Sequence, residues 1–185
     1  LARLNGIPLL ERHFEISSSA GINEIILVVG FHEARLVHEI CRLRLRERYP
    51  LRLVRNPDPY GDMFSSVKKG LEHQSGLHSV FFLPVDIPVS SSKTFQKLLD
   101  VETADSVIVP TFEGKRGHPP LFQPDFNEML RNSSPSGGIR SLYQNEVVSI
   151  CEVPVDDPSV LFDLDTPEDL RNFRSQVQNS AKLSL

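Results

Sequence analysis

Glu24-Ile25-Ile26-Leu27-Val28-Val29 is a nearly unbroken apolar run, closed by Gly30. A strand with one wet face alternates apolar and polar side chains. A run of this continuity fits a strand buried on both faces, as in a parallel sheet covered by helices. Upstream, Pro8 stands where a helix can start, and Leu9, Leu10, Phe14 and Ile16 mark a partial apolar face. That face ends in Ser17-Ser18-Ser19 and is broken at Gly21. Downstream, Glu33 to Arg48 reads as a helix with Leu36, Val37, Ile40 and Cys41 on one side, Arg44 at its edge and Pro50 closing it.

Further out, Leu51 to Val54 is a short strand. The two prolines of Asn56-Pro57-Asp58-Pro59-Tyr60-Gly61 remove donors and fix the backbone, which makes this stretch a turn. Next come a helix from Ser65 to about Gln74, a strand Val80-Phe81-Phe82-Leu83 stopped by Pro84, a helix from about Ser92 to Leu99, and a strand from Ser106 to Val109. The repeated alternation predicts an α/β fold with a mainly parallel central sheet and helices on both faces. After Pro110 the pattern loosens. Pro119 to Phe122 and Glu146 to Val153 read as short strands, Phe126 to Leu130 as a helix between them, and Ser133 to Gly138 as a loop. A last amphipathic helix starts near Pro167 and uses Leu170, Phe173 and Val177, with Asn179 to Leu185 as a frayed tail.

At 185 residues the chain suits one core, and we read it as a single domain. Its formal net charge of -4 does not favour nucleic acid or an anionic membrane surface as a partner. The arginines 42, 44, 46, 48, 52 and 55 are interrupted by Glu39 and Glu47, so they read as a solvated helix face running into a strand. No apolar run approaches bilayer length, and Leu1 to Leu10 lacks the pattern of a signal peptide. Cys41 and Cys151 lie far apart within apolar patterns and read as two buried thiols, which suits a reducing cytoplasm.

Asp86 comes just beyond the strand ending at Leu83, between Pro84 and Pro88. Ligands of open α/β sheets collect outside the carboxyl ends of strands, so Asp86 is placed to hold a metal against phosphate oxygens; a turn or helix-cap role is the plainer alternative. Asp163-Leu164-Asp165-Thr166-Pro167-Glu168-Asp169 packs four acidic residues into seven positions. Thr166 or Asp165 can cap the helix that begins with Pro167. In an extended segment Asp163 and Asp165 also share one side and can face one cation. Hard oxygen ligands of this kind suit Mg²⁺.

Gly114-Lys115-Arg116-Gly117-His118-Pro119-Pro120 combines flexible backbone with cations that can meet a phosphate, although a β-turn also explains its glycines. Gly61-Asp62-Met63-Phe64-Ser65-Ser66 leads into a helix with Ser65 or Asp62 as cap, and Gly137-Gly138-Ile139-Arg140 is a similar loop. The chain has no GxGxxG, no GxxxxGK and no GxSxG stretch. It therefore offers no sign of a Rossmann dinucleotide fingerprint, a P-loop or a hydrolase nucleophile elbow.

Taken in order, several stretches resemble the MobA/MocA-like nucleotidyltransferases, especially the molybdenum cofactor cytidylyltransferase branch. They are Leu4-Asn5-Gly6-Ile7-Pro8-Leu9-Leu10-Glu11, Ile26 to Gly30, Asn56-Pro57 with Gly61 to Leu71, Leu83 to Pro88, Val109-Pro110, Gly114 to Phe122, and Asp163 to Leu170. The stretches Arg116-Gly117-His118-Pro119 and Asp163 to Leu170 are the most telling. The resemblance implies a three-layer Rossmann-like fold whose mainly parallel sheet has a small antiparallel part. It assigns Mg²⁺ to Asp86 and Asp165, with Asp163 as a supporting carboxylate. Asn56, Gly61 and Ser66 would line the nucleotide and acceptor crevice, and Arg116, Gly117 and His118 the acceptor side, where a pterin lies. The implied reaction is attack by the phosphate of a molybdopterin-type acceptor on the α-phosphorus of CTP, releasing pyrophosphate, with handover of the product to a molybdoenzyme.

This chain departs from the family pattern in places. Relatives open with a strand and a Leu-Ala-Ala-Gly-x-Ser-x-Arg-Met-Gly loop that holds the triphosphate, whereas Leu4 to Leu10 matches the segment just after that loop. The expectation is a domain lacking its first strand and phosphate loop. Pro84-Val85-Asp86-Ile87-Pro88 replaces the glycine usually found before the aspartate, and Gly137-Gly138-Ile139-Arg140 lacks the family's acidic residue. Other readings are a GTP-dependent or sugar-phosphate nucleotidyltransferase, a non-catalytic nucleotide-binding domain, and a carrier of the finished cofactor.

Overall fold

The structure, a computed structural model, describes residues 2–4, 6–30, 33–58, 62–88, 91–133, 139, 141 and 148–183, with side chains to residue 175. Each core strand divides its side chains between two helical layers. On β3 (Ile25–Val29), Leu27 and Val29 pack with Leu10 and Phe14 of α1 (Leu9–Ser19) and Ile40 of α2 (Glu33–Arg42). Val28 faces the other way, towards α4 (Met63–Leu71), where a Cβ added to Gly70 would lie 3.3 Å from Val28 Cγ2. On β6 (Val107–Phe112), Val107 and Val109 meet α4 together with Phe126 and Leu130 of α6 (Pro124–Asn132). Ile108 meets Leu98 of α5 (Ser92–Leu99) on the opposite face. Three layers result, with α1, α2 and α5 on one side of the sheet and α4 and α6 on the other. Fully buried Phe14, Phe95, Phe122 and Phe126 anchor them, each side chain of this kind contributing about 1.5–3 kcal/mol.

The sheet layer corrects the expected pairing. β3 runs parallel to β4 (Leu51–Arg55), and β6 runs parallel to β9 (Ile150–Pro154). The other pairs are antiparallel: β1 (Arg3–Leu4) with β2 (Ile7–Pro8), β5 (Val80–Phe81) with β8 (Leu121–Phe122), and both β7 (Lys115–Arg116) and β8 with β6. Among the described residues the antiparallel part is thus larger than expected, with four antiparallel strand pairs against two parallel ones, although the two parallel ladders are the longest. The cause is local: Glu113 and Gly114 both adopt positive φ, 50° and 74°, and fold the chain back on β6. β8 then returns between β6 and β5.

No described strand joins β3 to β5, yet the two sheets form one layer. Val85, just past β5, packs into the β3 cluster. α1 crosses the seam, its Leu10 and Phe14 lying over β3 and its Ile16 and Ala20 against Phe81, Ile87 and Phe95.

Several local expectations also change. The helix expected over 33–48 breaks at Arg44, whose left-handed φ of 51° starts a separate α3 (Leu45–Arg48) and accompanies complete burial of Leu45. The strand expected over 80–83 ends at Phe81, whereas β6 continues through Pro110 to Phe112. A 3₁₀ helix at Pro158–Leu161 precedes α7 (Pro167–Leu183), which takes in most of the expected tail. Cys41 is exposed, because Ile40 carries the buried face of α2, and Cys151 is half-buried; both are free thiols. Among the described residues no helix is long and apolar enough to cross a membrane.

Candidate active site

The loop after β5 is held at both ends and in the middle. Phe82 N donates to Pro120 O at 3.0 Å, Leu164 N to Asp86 O at 3.1 Å, and the His13 imidazole meets Ile87 O at 2.7 Å. The Asp86 side chain meanwhile remains exposed. The bond from Leu164 draws the arm before α7 alongside, and Asp163 and Asp165 flank that bond on one side of an extended segment. One carboxylate oxygen from each of Asp86, Asp163 and Asp165 lies within 4.8 Å of the others.

The capping alternative for Asp165 has a different owner. Thr166 Oγ1 accepts from Asp169 N at 3.2 Å, while Asp169 Oδ2 accepts from Thr166 N at 2.8 Å and from Thr166 Oγ1 at 2.6 Å. This reciprocal box starts α7 and holds the Asp169 carboxyl below its ordinary pKa. Asp163 shifts the opposite way, raised first by partial desolvation and then by the charges of Asp86, Asp165 and Asp169. Repulsion among close carboxylates is what a bound cation relieves, and an all-oxygen donor set fits a hard divalent ion such as Mg²⁺ or Mn²⁺.

The loop Gly117–His118 closes on the 3₁₀ helix. Gly117 N donates to Pro110 O and His118 N to Val160 O, each at 2.8 Å. A Cβ on residue 117 would stand 2.4 Å from Val160 O, so packing alone demands this glycine. The 3₁₀ helix is fixed in turn by buried Asp157, which accepts from Thr94 Oγ1 at 3.1 Å, Ser159 N at 3.0 Å and Ser159 Oγ at 2.5 Å. Burial lowers the pKa of His118, opposed by the Asp86 carboxylate. Its buried Nδ1 has no hydrogen-bond partner among the described residues. Arg116, in contrast, is committed elsewhere: its Nε lies 2.7 Å from Glu152 Oε1 on β9.

Asn56 and Ser66 do come together. Asn56 Nδ2 donates to Ser65 Oγ and Ser66 Oγ, both at 3.0 Å, and Asn56 Oδ1 accepts from Asp58 N at 3.1 Å. Asp62, rather than Ser65, caps α4 by accepting from Ser65 N at 3.1 Å. Gly61 lies outside the described residues, as do Gly137, Gly138 and Arg140. Sequence reasoning missed His13 and Asp157. Neither carries a local signal, since their partners lie 74 residues away in one case and 63 in the other.

A profile of the MobA-like NTP transferase domain matches residues 1–150. The chain belongs to this family. It is thus a nucleotidyltransferase-family enzyme with an acidic cluster able to hold a divalent metal. No curated protein sequence matches it. Among solved structures, this MobA-like domain is similar to a nucleotidyl transferase from Methanothermobacter, with TM-score 0.78 and 21% identity over 97% of this chain and 85% of that one. It is also similar to the manganese complex of Rv0371c from Mycobacterium tuberculosis, with TM-score 0.73 and 20% identity over 95% and 90% of the two chains. Molybdopterin-guanine dinucleotide biosynthesis protein A from Archaeoglobus fulgidus aligns with TM-score 0.61 and 16% identity over 96% and 89%. At these identities the likeness is one of fold. The profile includes Asp86 and the Gly117–His118 loop but ends before Asp163, so the carboxylate arm enters through the geometry.

Proposed function

We propose that this MobA-like NTP transferase joins the nucleoside monophosphate of CTP to the phosphate of a molybdopterin-type acceptor. Asp86 and Asp165 hold Mg²⁺ in this reading, and Asp163 supports them. The observation that carries it is the convergence of the three carboxylates while Thr166 and Asp169 separately cap α7.

A terminal oxygen of the acceptor phosphate attacks the α-phosphorus of CTP, the bond to the β-phosphate's bridging oxygen breaks in line, and pyrophosphate leaves with the electron pair. Bound Mg²⁺ supplies positive charge against the phosphate oxygens. The acceptor phosphate is already ionised near neutral pH, so the chain's work is positioning and electrostatics rather than proton abstraction. His118, kept neutral by burial, offers its unpartnered ring nitrogen to a polar edge of the acceptor. Asn56 and Ser66 shape the nucleotide side together with Gly61, and the packing of Gly117 sets the height of the acceptor loop. Arg116 contributes through its ion pair with Glu152, which stiffens that loop.

The two unpaired thiols suit a cytoplasmic setting, and the product passes to a molybdoenzyme. The Archaeoglobus neighbour supports a molybdopterin-type acceptor and makes GTP the rival donor. Pyrophosphate release by the full chain with molybdopterin cofactor, Mg²⁺ and each of CTP, GTP and ATP tests the proposal. Release with CTP, abolished by a chelator, is expected; release with GTP alone overturns the donor. Silence with all three nucleotides, while they still bind, overturns the transfer reading.

A further inference from the structure

We propose that His13 is a positioning residue of the carboxylate site, holding from α1 the loop that carries Asp86. The inference rests on the metal reading above and adds a residue from a helix that contributes none of the carboxylates. His13 is buried, and its Nε2 lies 2.7 Å from Ile87 O. A carbonyl oxygen only accepts, so Nε2 carries the hydrogen and the tautomer is fixed. Burial drives the pKa of His13 down to about 4, against the opposing pulls of the Ile87 hydrogen bond and the Asp86 charge and with a small push from Arg12. The donor is therefore a neutral ring at physiological pH.

α1 is well suited to act as a splint. Leu10 and Phe14, on the same buried face as His13, are packed into the β3 core, and Ile16 and Ala20 are packed against Ile87 and Phe95. No described strand bridges β3 and β5, so α1, together with Val85 packed into the β3 cluster, ties the Asp86 loop to the β3 half. The carbonyls of Asp86 and Ile87 are then gripped from two directions, the first by Leu164 N and the second by His13. Asp86 O lies in the peptide plane between residues 86 and 87 and Ile87 O in the plane that follows, so the two bonds fix both planes around Ile87 and hold the backbone on the C-terminal side of Asp86, limiting how far its carboxylate can swing. Without His13 the carbonyl of buried Ile87 loses its partner, and the loop relaxes to find another.

Mn²⁺ binding, followed by electron paramagnetic resonance, separates this role from simple stabilisation. In H13L, binding is expected to weaken by about 10-fold or more. H13Q, whose amide nitrogen reaches the place of Nε2, is expected to restore it. A merely structural residue would lower Tm in H13L and leave the affinity of the folded protein unchanged, which would overturn the proposal. If H13L fails to fold, H13N, whose amide falls short of the carbonyl, is set against H13Q, and equal affinities overturn the proposal again. Wild-type protein that binds no Mn²⁺ would instead sink the metal site itself, a result distinct from equal binding by wild type and variant.

Discussion

Asn56 and Asp86 each follow a core strand, β4 and β5, yet their side chains meet opposite fates. Asn56 is buried and uses both ends of its amide inside the protein, on Ser65, Ser66 and Asp58. Asp86 is exposed, faces two other carboxylates, and its loop is held through backbone carbonyls rather than through the carboxylate. A buried polar group must find its partners within the fold, so Asn56 serves as a hub joining β4 to the start of α4. The aspartates are left to a ligand because backbone groups and neighbouring side chains carry the local structure for them.

Substitution separates the two corners. Asn56→Ala removes the buried amide that Asp58 N and both serine hydroxyls meet, and is expected to cost about 1–3 kcal/mol in denaturant unfolding while Mn²⁺ affinity holds. A variant of unchanged stability but weakened Mn²⁺ binding would erase the distinction between the corners. Thr166→Ala is the smaller test, removing half of the capping box for about 1 kcal/mol of stability. Near-normal Mn²⁺ affinity is expected there too, because the cap and the carboxylates are separate groups. A loss of binding as deep as that from removing a carboxylate would show that the box and the metal arm act as one.

Much of this was legible in the sequence where the physics is local. The continuous apolar run of β3 announced a strand covered on both faces, and it is. The i, i+2 spacing of Asp163 and Asp165 put them on one side, and the position of Asp86 past β5 put it at a strand end. What escaped depends on tertiary contacts. Arg44 turns left-handed within a stretch of good helix formers, and the return of β8 between β6 and β5 made antiparallel what alternation predicted as parallel. The choice between Thr166 and Asp165 as cap needed coordinates, since both are good capping residues. Arg116 looked like an open cation until Glu152, from a distant strand, came beside it.

The most direct test is an Mn²⁺ titration of Asp165→Asn beside wild type. The substitution keeps size and polarity, removes one charge from the cluster, and leaves Thr166 and Asp169 to cap α7. The account predicts that affinity falls by at least about 10-fold, with Tm in the absence of metal unchanged or raised as repulsion is relieved. An Asp165→Asn protein that binds Mn²⁺ as tightly as wild type would contradict the three-carboxylate site.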